Sequence, residues 1–220
     1  MMKPATTSLT HLIAPFDDSQ TGLHPALVLL HGRGANEEDL LGLVPYLDPQ
    51  FFFAAPRAPF PFAHGGYTWY ELEEIGSPNK TQFAESYERL VQFLDDIQQQ
   101  YPVDPNRTYL LGFSMGTVMA YSLALTKPEI IRGMVAHSGY IPEHIAPQFQ
   151  WESMSHTAFF VAHGIHDPVI PIEFGRRAHE LLAKKNARVV YHEYPIQHQI
   201  SDESLRDLSG WLAGCLKSAS

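Results

Sequence analysis

Only one cysteine, Cys215, occurs among the 220 residues, which excludes an intramolecular disulfide and fits a reducing compartment. The thiol is expected simply to pack. Basic residues are scarce as well: 15 Lys and Arg against 24 Asp and Glu leave a formal charge of −9. With no basic face to neutralise phosphates, nucleic acid and anionic membrane surfaces are poor partners. No segment approaches the roughly 18 consecutive apolar residues of a membrane span, and residues 1–10 lack the apolar stretch of a secretory signal. The expected location is the cytoplasm, without stable membrane insertion. Internal repeats, low-complexity tracts and Gly/Ser linkers are absent too. Hydrophobic residues nonetheless make up 45% of the chain, enough for a sizeable core, and a single domain over residues 1–220 is expected.

Short apolar runs rich in β-branched and aromatic residues lie at 26–30, 51–55, 109–113, 133–136, 158–162 and 188–194, the lengths of buried strands. Between them stand helical patterns. Phe83, Tyr87, Leu90, Val91 and Leu94 share one face, and 118–125, 174–183 and 205–216 read the same way. Alternating strands and helices imply an α/β fold, with a mostly parallel central sheet and helices on both faces. Its site is expected beyond the carboxyl ends of the strands. Residues 11–16, followed by turn residues 17–22, read as an antiparallel edge strand.

Gly112-Phe113-Ser114-Met115-Gly116 follows one of these strands and precedes a helix. A serine at such a tight turn is held exposed above the sheet, and the flanking glycines let strand and helix approach closely. The same spacing also arises by chance in glycine-rich loops, so the strand–turn–helix context carries the assignment. Serine needs a base, and the base needs a carboxylate to fix its tautomer. In this fold they follow in the order Ser, Asp or Glu, His. Asp167, beyond the strand at 158–162, and His198, beyond that at 188–194, fill those places. Asp167 before Pro168 is also a common turn former. His163, His166 and His192 are rivals to His198, each read more simply as packed or solvated. For the oxyanion, one backbone N–H is expected from Met115 and another from Arg33 in Leu30-His31-Gly32-Arg33-Gly34. Those glycines would equally serve to turn the chain into a helix start at 36–41.

Leu-His-Gly-Arg-Gly followed by Asn36-Glu37-Glu38-Asp39-Leu40, the Gly-Phe-Ser-Met-Gly elbow, His163-Gly164-Ile165-His166-Asp167-Pro168-Val169-Ile170-Pro171, and His198 before Ile200-Ser201 together resemble the phospholipase/carboxylesterase family, relatives of the acyl-protein thioesterases. The resemblance runs from about residue 24 to the C-terminus. It implies the α/β-hydrolase fold, no cofactor, and hydrolysis of short or medium acyl esters, thioesters or lysophospholipids. Carried over, it places catalysis on Ser114, Asp167 and His198, and the oxyanion donors on Arg33 and Met115. Arg33 stands where the family often has an apolar residue, and its guanidinium is expected to favour anionic groups. Gln197 stands where a glycine is frequent.

Residues 59–70 form an aromatic stretch too interrupted by polar residues for a strand and long enough to fold over a site. Phe60, Tyr67 and Trp69, with Val169 and Ile170, are the expected substrate-binding wall, ordinary packing being the alternative. Glu71, Glu73 and Glu74 are expected to form a solvated acidic rim. The twelve histidines raise a metallohydrolase as a competitor, but His-Glu-x-x-His on a helix is absent and His163-x-x-His166-Asp167 lies on a broken loop, so no metal is expected. A non-catalytic binding module would be expected to lack one of the three catalytic positions, all of which are filled. Ser114 in place of cysteine argues against a dienelactone hydrolase. The expected substrate is therefore a small-molecule ester attacked by serine, with a thioesterase or lysophospholipase as the alternative. Acyl length and oligomeric state, a homodimer included, stay open.

Overall fold

The strands expected from the apolar runs pair into one seven-stranded sheet. A computed structural model describes residues 7–16 and 22–218. Its strands are β1 (His11–Ile13), β2 (His24–Leu30), β3 (Phe52–Pro56), β4 (Phe60–Pro61), β5 (Tyr67–Thr68), β6 (Val103–Phe113), β7 (Gly133–His137), β8 (Ala158–Gly164) and β9 (Arg188–Tyr194). The main sheet has the order β1-β3-β2-β6-β7-β8-β9, with β4 and β5 paired separately. Every pair in the main sheet is parallel except β1 with β3. The edge strand at the N-terminus is thus present, while residues 17–21 of its expected turn lie outside the described residues.

The α-helices among the described residues are α1 (Lys80–Gln100), α2 (Met115–Thr126), α3 (Ile172–Lys184) and α4 (Asp202–Ser218), while 3-10 segments carry the connections from β2 to β3 and from β7 to β8. Alternation along the strands assigns them to two faces. Ala26, Val28 and Leu30 of β2 point with Phe159 and Val161 of β8 into a core shared with Leu90 and Ile97 of α1, Leu123 of α2 and Leu182 of α3. Leu27 and Leu29 point the other way, with Phe160 and Ala162, against Leu205, Leu208 and Leu212 of α4. The period of two in the strands and the apolar stripes of the helices meet on both sides of the sheet. Every residue of α2 is buried, as expected of a helix apolar on all sides. Helix α1 starts at Asn79, whose side chain accepts from the Gln82 amide at 3.1 Å, an N-cap that satisfies a free donor.

Two expectations change. The start expected at 36–41 is a 3-10 helix, Asp39–Tyr46, with Pro45 inside it; proline removes a helical donor and keeps the segment from extending as an α-helix. The aromatic stretch at 59–70 contains the β4–β5 ribbon, with Phe60 opposite Thr68 and Pro61 opposite Tyr67. Two-residue strands are too short to show a periodicity. No helix among the described residues is long and apolar enough to cross a membrane.

The connection from β2 runs outward to β3, and the chain then returns to place β6 on the other side of β2. The loops after β2 and β6 therefore diverge from neighbouring strands. That divergence opens a crevice at their carboxyl ends.

Candidate active site

Ser114 sits between β6 and α2 with φ 55° and ψ −120°. This left-handed backbone is strained for a side chain other than glycine and is held by its surroundings. The Ser114 amide donates to the His137 carbonyl at 3.0 Å, and the Thr117 amide returns to the Ser114 carbonyl at 3.0 Å. Close approach dictates the glycines on either side. A Cβ at Gly112 would stand 2.6 Å from Thr117 Cα, and one at Gly116 would run into the Leu30 carbonyl oxygen. The elbow therefore presses the start of α2 against the end of β2 as well as against β6.

His198 reaches this serine from the loop after β9, with Nε2 2.9 Å from Ser114 Oγ. Its Nδ1 lies 2.7 Å from Asp167 Oδ2. An ionised carboxylate only accepts, so Nδ1–H donates to Asp167, and Nε2 is left to accept from the Ser114 hydroxyl. Asp167 is buried and held from both sides: Oδ1 accepts from the Val169 and Ile170 amides at 2.8 and 2.9 Å. Phe113 packs tilted against the His198 ring at 4.9 Å. Gln197 is exposed, so its side chain leaves this geometry alone.

The other histidines near the site are occupied elsewhere. His163 is fully buried, and its Nε2–H donates to the Ile170 carbonyl at 2.8 Å while lying 3.5 Å from Asp167 Oδ2. Burial pushes its pKa down. His166 is exposed and His192 stacks on Phe160 within the sheet. His31, whose place beside the serine was not foreseen, braces the loop after β2. Its Nε2 accepts from the Ala58 amide at 3.0 Å, so Nδ1–H donates to the Gly32 carbonyl at 2.7 Å. Burial keeps this imidazole neutral by lowering its pKa. The His-Gly step after a strand was the available signal.

This braced loop passes close to the serine: a Cβ at Gly32 would lie 3.3 Å from Ser114 Cβ. Arg33, Ser114 and Met115 line one cavity of about 210 Å³ with Tyr70, Leu72, Ile75, Tyr140, Val169 and Ile170. The Arg33 and Met115 amides donate to no backbone acceptor outside regular elements among the described residues. Met115 opens α2, where an amide has no partner within the helix. Backbone donors at such a place beside a serine hydroxyl are what a developing oxyanion requires.

Only part of the expected binding wall is there. Val169 and Ile170 line the cavity, but Phe60, Tyr67 and Trp69 do not. Trp69 is fully buried and donates to the His31 carbonyl at 3.0 Å. Tyr67 exchanges backbone hydrogen bonds with the loop after β2, accepting from Gly34 and donating to Ala35, both at 2.8 Å. Phe60 is half-buried in the ribbon. Aromatic bulk thus holds the loop after β2 in place, and the cavity wall facing Val169 and Ile170 is completed by Tyr70, Leu72, Ile75 and Tyr140. Tyr140 follows β7 at the same sheet edge, a position from which it was open to detection. Glu71 also departs from the expected acidic rim: it pairs with the Arg33 guanidinium, which lies 4.5 Å from the centre of the Phe62 ring. Arg33 therefore reaches the cavity mouth with its charge already countered.

Known proteins carry the same arrangement of strands and helices. The model of the phospholipase/carboxylesterase family matches residues 17–216. An acyl-protein thioesterase 1 of Debaryomyces hansenii is 29% identical over 173 residues, covering 74% of each chain. A probable carboxylesterase of Arabidopsis thaliana, SOBER1-like, is 28% identical over 210 residues, 88% of this chain and 80% of that one. Among solved structures, the Bacillus cereus carboxylesterase superposes with a TM-score of 0.82 at 25% identity, covering 94% of both chains. The match over nearly the whole chain makes this protein a member of the phospholipase/carboxylesterase family, ester hydrolases built on the α/β-hydrolase fold.

Proposed function

We propose that the protein is a serine carboxylesterase that cleaves short- to medium-chain esters through an acyl-enzyme formed on Ser114. His198 takes the Ser114 proton as the oxygen attacks the ester carbonyl. The Arg33 and Met115 amides hold the resulting oxyanion. Collapse of the tetrahedral intermediate breaks the bond to the leaving oxygen, which receives the proton from His198. Water, deprotonated by His198, then attacks the acyl-serine; collapse releases the acid and restores the Ser114 hydroxyl. Asp167 keeps the imidazole in the tautomer this cycle needs. On this reading residues 1–220 act as one domain in the cytoplasm, without cofactor or metal, on a small-molecule ester.

The observation that supports this best is the unbroken chain from Ser114 Oγ through His198 to Asp167 at 2.9 and 2.7 Å, ending at an apolar cavity. A thioester would undergo the same steps, and the acyl-protein thioesterase among the relatives favours keeping it as a second substrate class. Steady-state hydrolysis of p-nitrophenyl esters from acetyl to dodecanoyl, with a palmitoyl thioester and Ser114→Ala in parallel, tests the reading. Ester turnover that disappears in the variant is expected. Activity surviving in Ser114→Ala, or none on any ester, would overturn it, and turnover of the thioester alone would shift it to the second class.

A further inference from the structure

The cavity at Ser114 has a neighbour. A second cavity, also of about 210 Å³, lies between the loop after β7 and α3, lined by Ile75, Gly76, Tyr140, Ile141, Phe174 and Leu181 among others. Ile75 and Tyr140 belong to both. These two residues are therefore the wall between the cavities. Each space alone is smaller than the ~300–1,000 Å³ of ordinary ligand pockets, whereas the two joined would enter that range.

The wall is fastened rather than merely packed. Tyr140 is buried, and its hydroxyl accepts from the Gly76 amide at 3.3 Å. Tyr70, itself buried, lines the first cavity beside it. On its far side the Tyr140 ring meets Phe174 of α3 with centroids 5.5 Å apart. The phenol is thus tied to the 71–79 loop at its tip and to α3 along its ring. An acyl chain esterified to Ser114 Oγ and lying in the first cavity runs toward this barrier.

We propose that Tyr140 is the specificity-determining residue that closes the acyl side of the Ser114 cavity and restricts the enzyme to short acyl groups. The second cavity is the space a longer chain would need. Leu72 and Ile170 on one side of the wall and Ile141, Phe174, Ala178 and Leu181 on the other give methylene groups an apolar path once the phenol is removed, while Glu143 and Arg177, paired with each other, form the polar side of the second cavity. This inference rests on the esterase reading and narrows its substrate class to esters of short acids.

The test is the ratio of kcat/KM for p-nitrophenyl octanoate to that for the acetate, in wild type, Tyr140→Ala and Ile75→Ala. One methylene in an apolar pocket is worth about 10-fold or more in discrimination. The wild type should prefer acetate, and the ratio should rise at least ~10-fold in Tyr140→Ala. Ile75 stands on a half-buried loop, so Ile75→Ala keeps the test open where the tyrosine variant fails to fold, and should raise the ratio by a smaller factor. A folded Tyr140→Ala with the wild-type ratio, or a wild type that prefers octanoate, would overturn the inference while leaving the esterase intact. Absence of wild-type turnover on any ester would overturn both.

Discussion

The Trp69 indole N–H donates to the carbonyl oxygen of His31 at 3.0 Å, from a position with no exposed surface. This bond ties the aromatic segment to the loop that carries the Arg33 amide. Trp69→Phe would leave a buried carbonyl without its donor, at a cost of about 1–3 kcal/mol. Turnover should fall by a similar factor on every ester tested, with the order of preferred acyl lengths unchanged. Denaturant unfolding and the ester series measure both. A change in acyl preference would return Trp69 to the substrate wall.

Asp167 accepts from His198 Nδ1–H while two backbone amides fix its other oxygen. An asparagine there can present an amide N–H to Nδ1 and so favour the opposite tautomer. Asp167→Asn should lower kcat by about 10⁴-fold, by analogy with other Ser-His-Asp enzymes. Near-native thermal stability alongside that loss would separate the tautomer from a folding defect.

Arg33, proposed to hold the oxyanion through its backbone amide, lines the cavity while its guanidinium is engaged by Glu71. Because both side chains are partly exposed, the pair is worth only ~0.2–1 kcal/mol. Arg33→Ala keeps the amide and should reduce kcat/KM on neutral esters less than about 10-fold, well below the 10²–10³-fold of a lost oxyanion donor. Glu71→Gln frees the guanidinium, and kcat/KM for an ester bearing a carboxylate should rise severalfold relative to its neutral counterpart. A ratio between the two esters that is the same in variant and wild type would contradict this role of the pair.

His137 is buried between Ser138 and Ser204, at 3.0 and 3.1 Å from their hydroxyls. Burial first, then the neighbouring His163 and His198, pushes its pKa down to about 3 from an ordinary 6.5. Below pH 6.5 the unfolded chain takes up a proton that folded His137 refuses. Its contribution to stability is therefore complete above pH 6.5 and declines as pH falls toward 3, by at most about 1.4 kcal/mol per pH unit. His137→Gln keeps a polar group there and should flatten the fall of Tm between pH 6.5 and 4. Parallel curves for variant and wild type would contradict the assignment.

Much of this was legible in the chain because its signals are local. The apolar run at 133–136 matches β7 almost residue for residue, since buried parallel strands are continuous hydrophobic runs, and the run at 188–194 matches β9, a partly exposed edge strand whose Val and Tyr residues carry the β signal. Ser114, Asp167 and His198 stand out because each lies just beyond a strand end. The cavity wall was hidden for the opposite reason. Ile75 and Tyr140 come from loops far apart in sequence and meet only through the fold. Nor does an aromatic residue in a loop declare whether it faces substrate or core, and Trp69 faces the core. The pairing of Arg33 with Glu71, 38 positions away, likewise follows from the path of the β4–β5 ribbon and not from any spacing in the sequence.

Mass spectrometry of the intact protein during inactivation by a serine-directed alkyl phosphonate tests the central claim most directly. A single adduct per chain is expected, located by peptide mapping on Ser114, with ester hydrolysis lost in proportion to labelling. Full labelling of Ser114 with hydrolysis intact, or inactivation by an adduct on another residue, would contradict it.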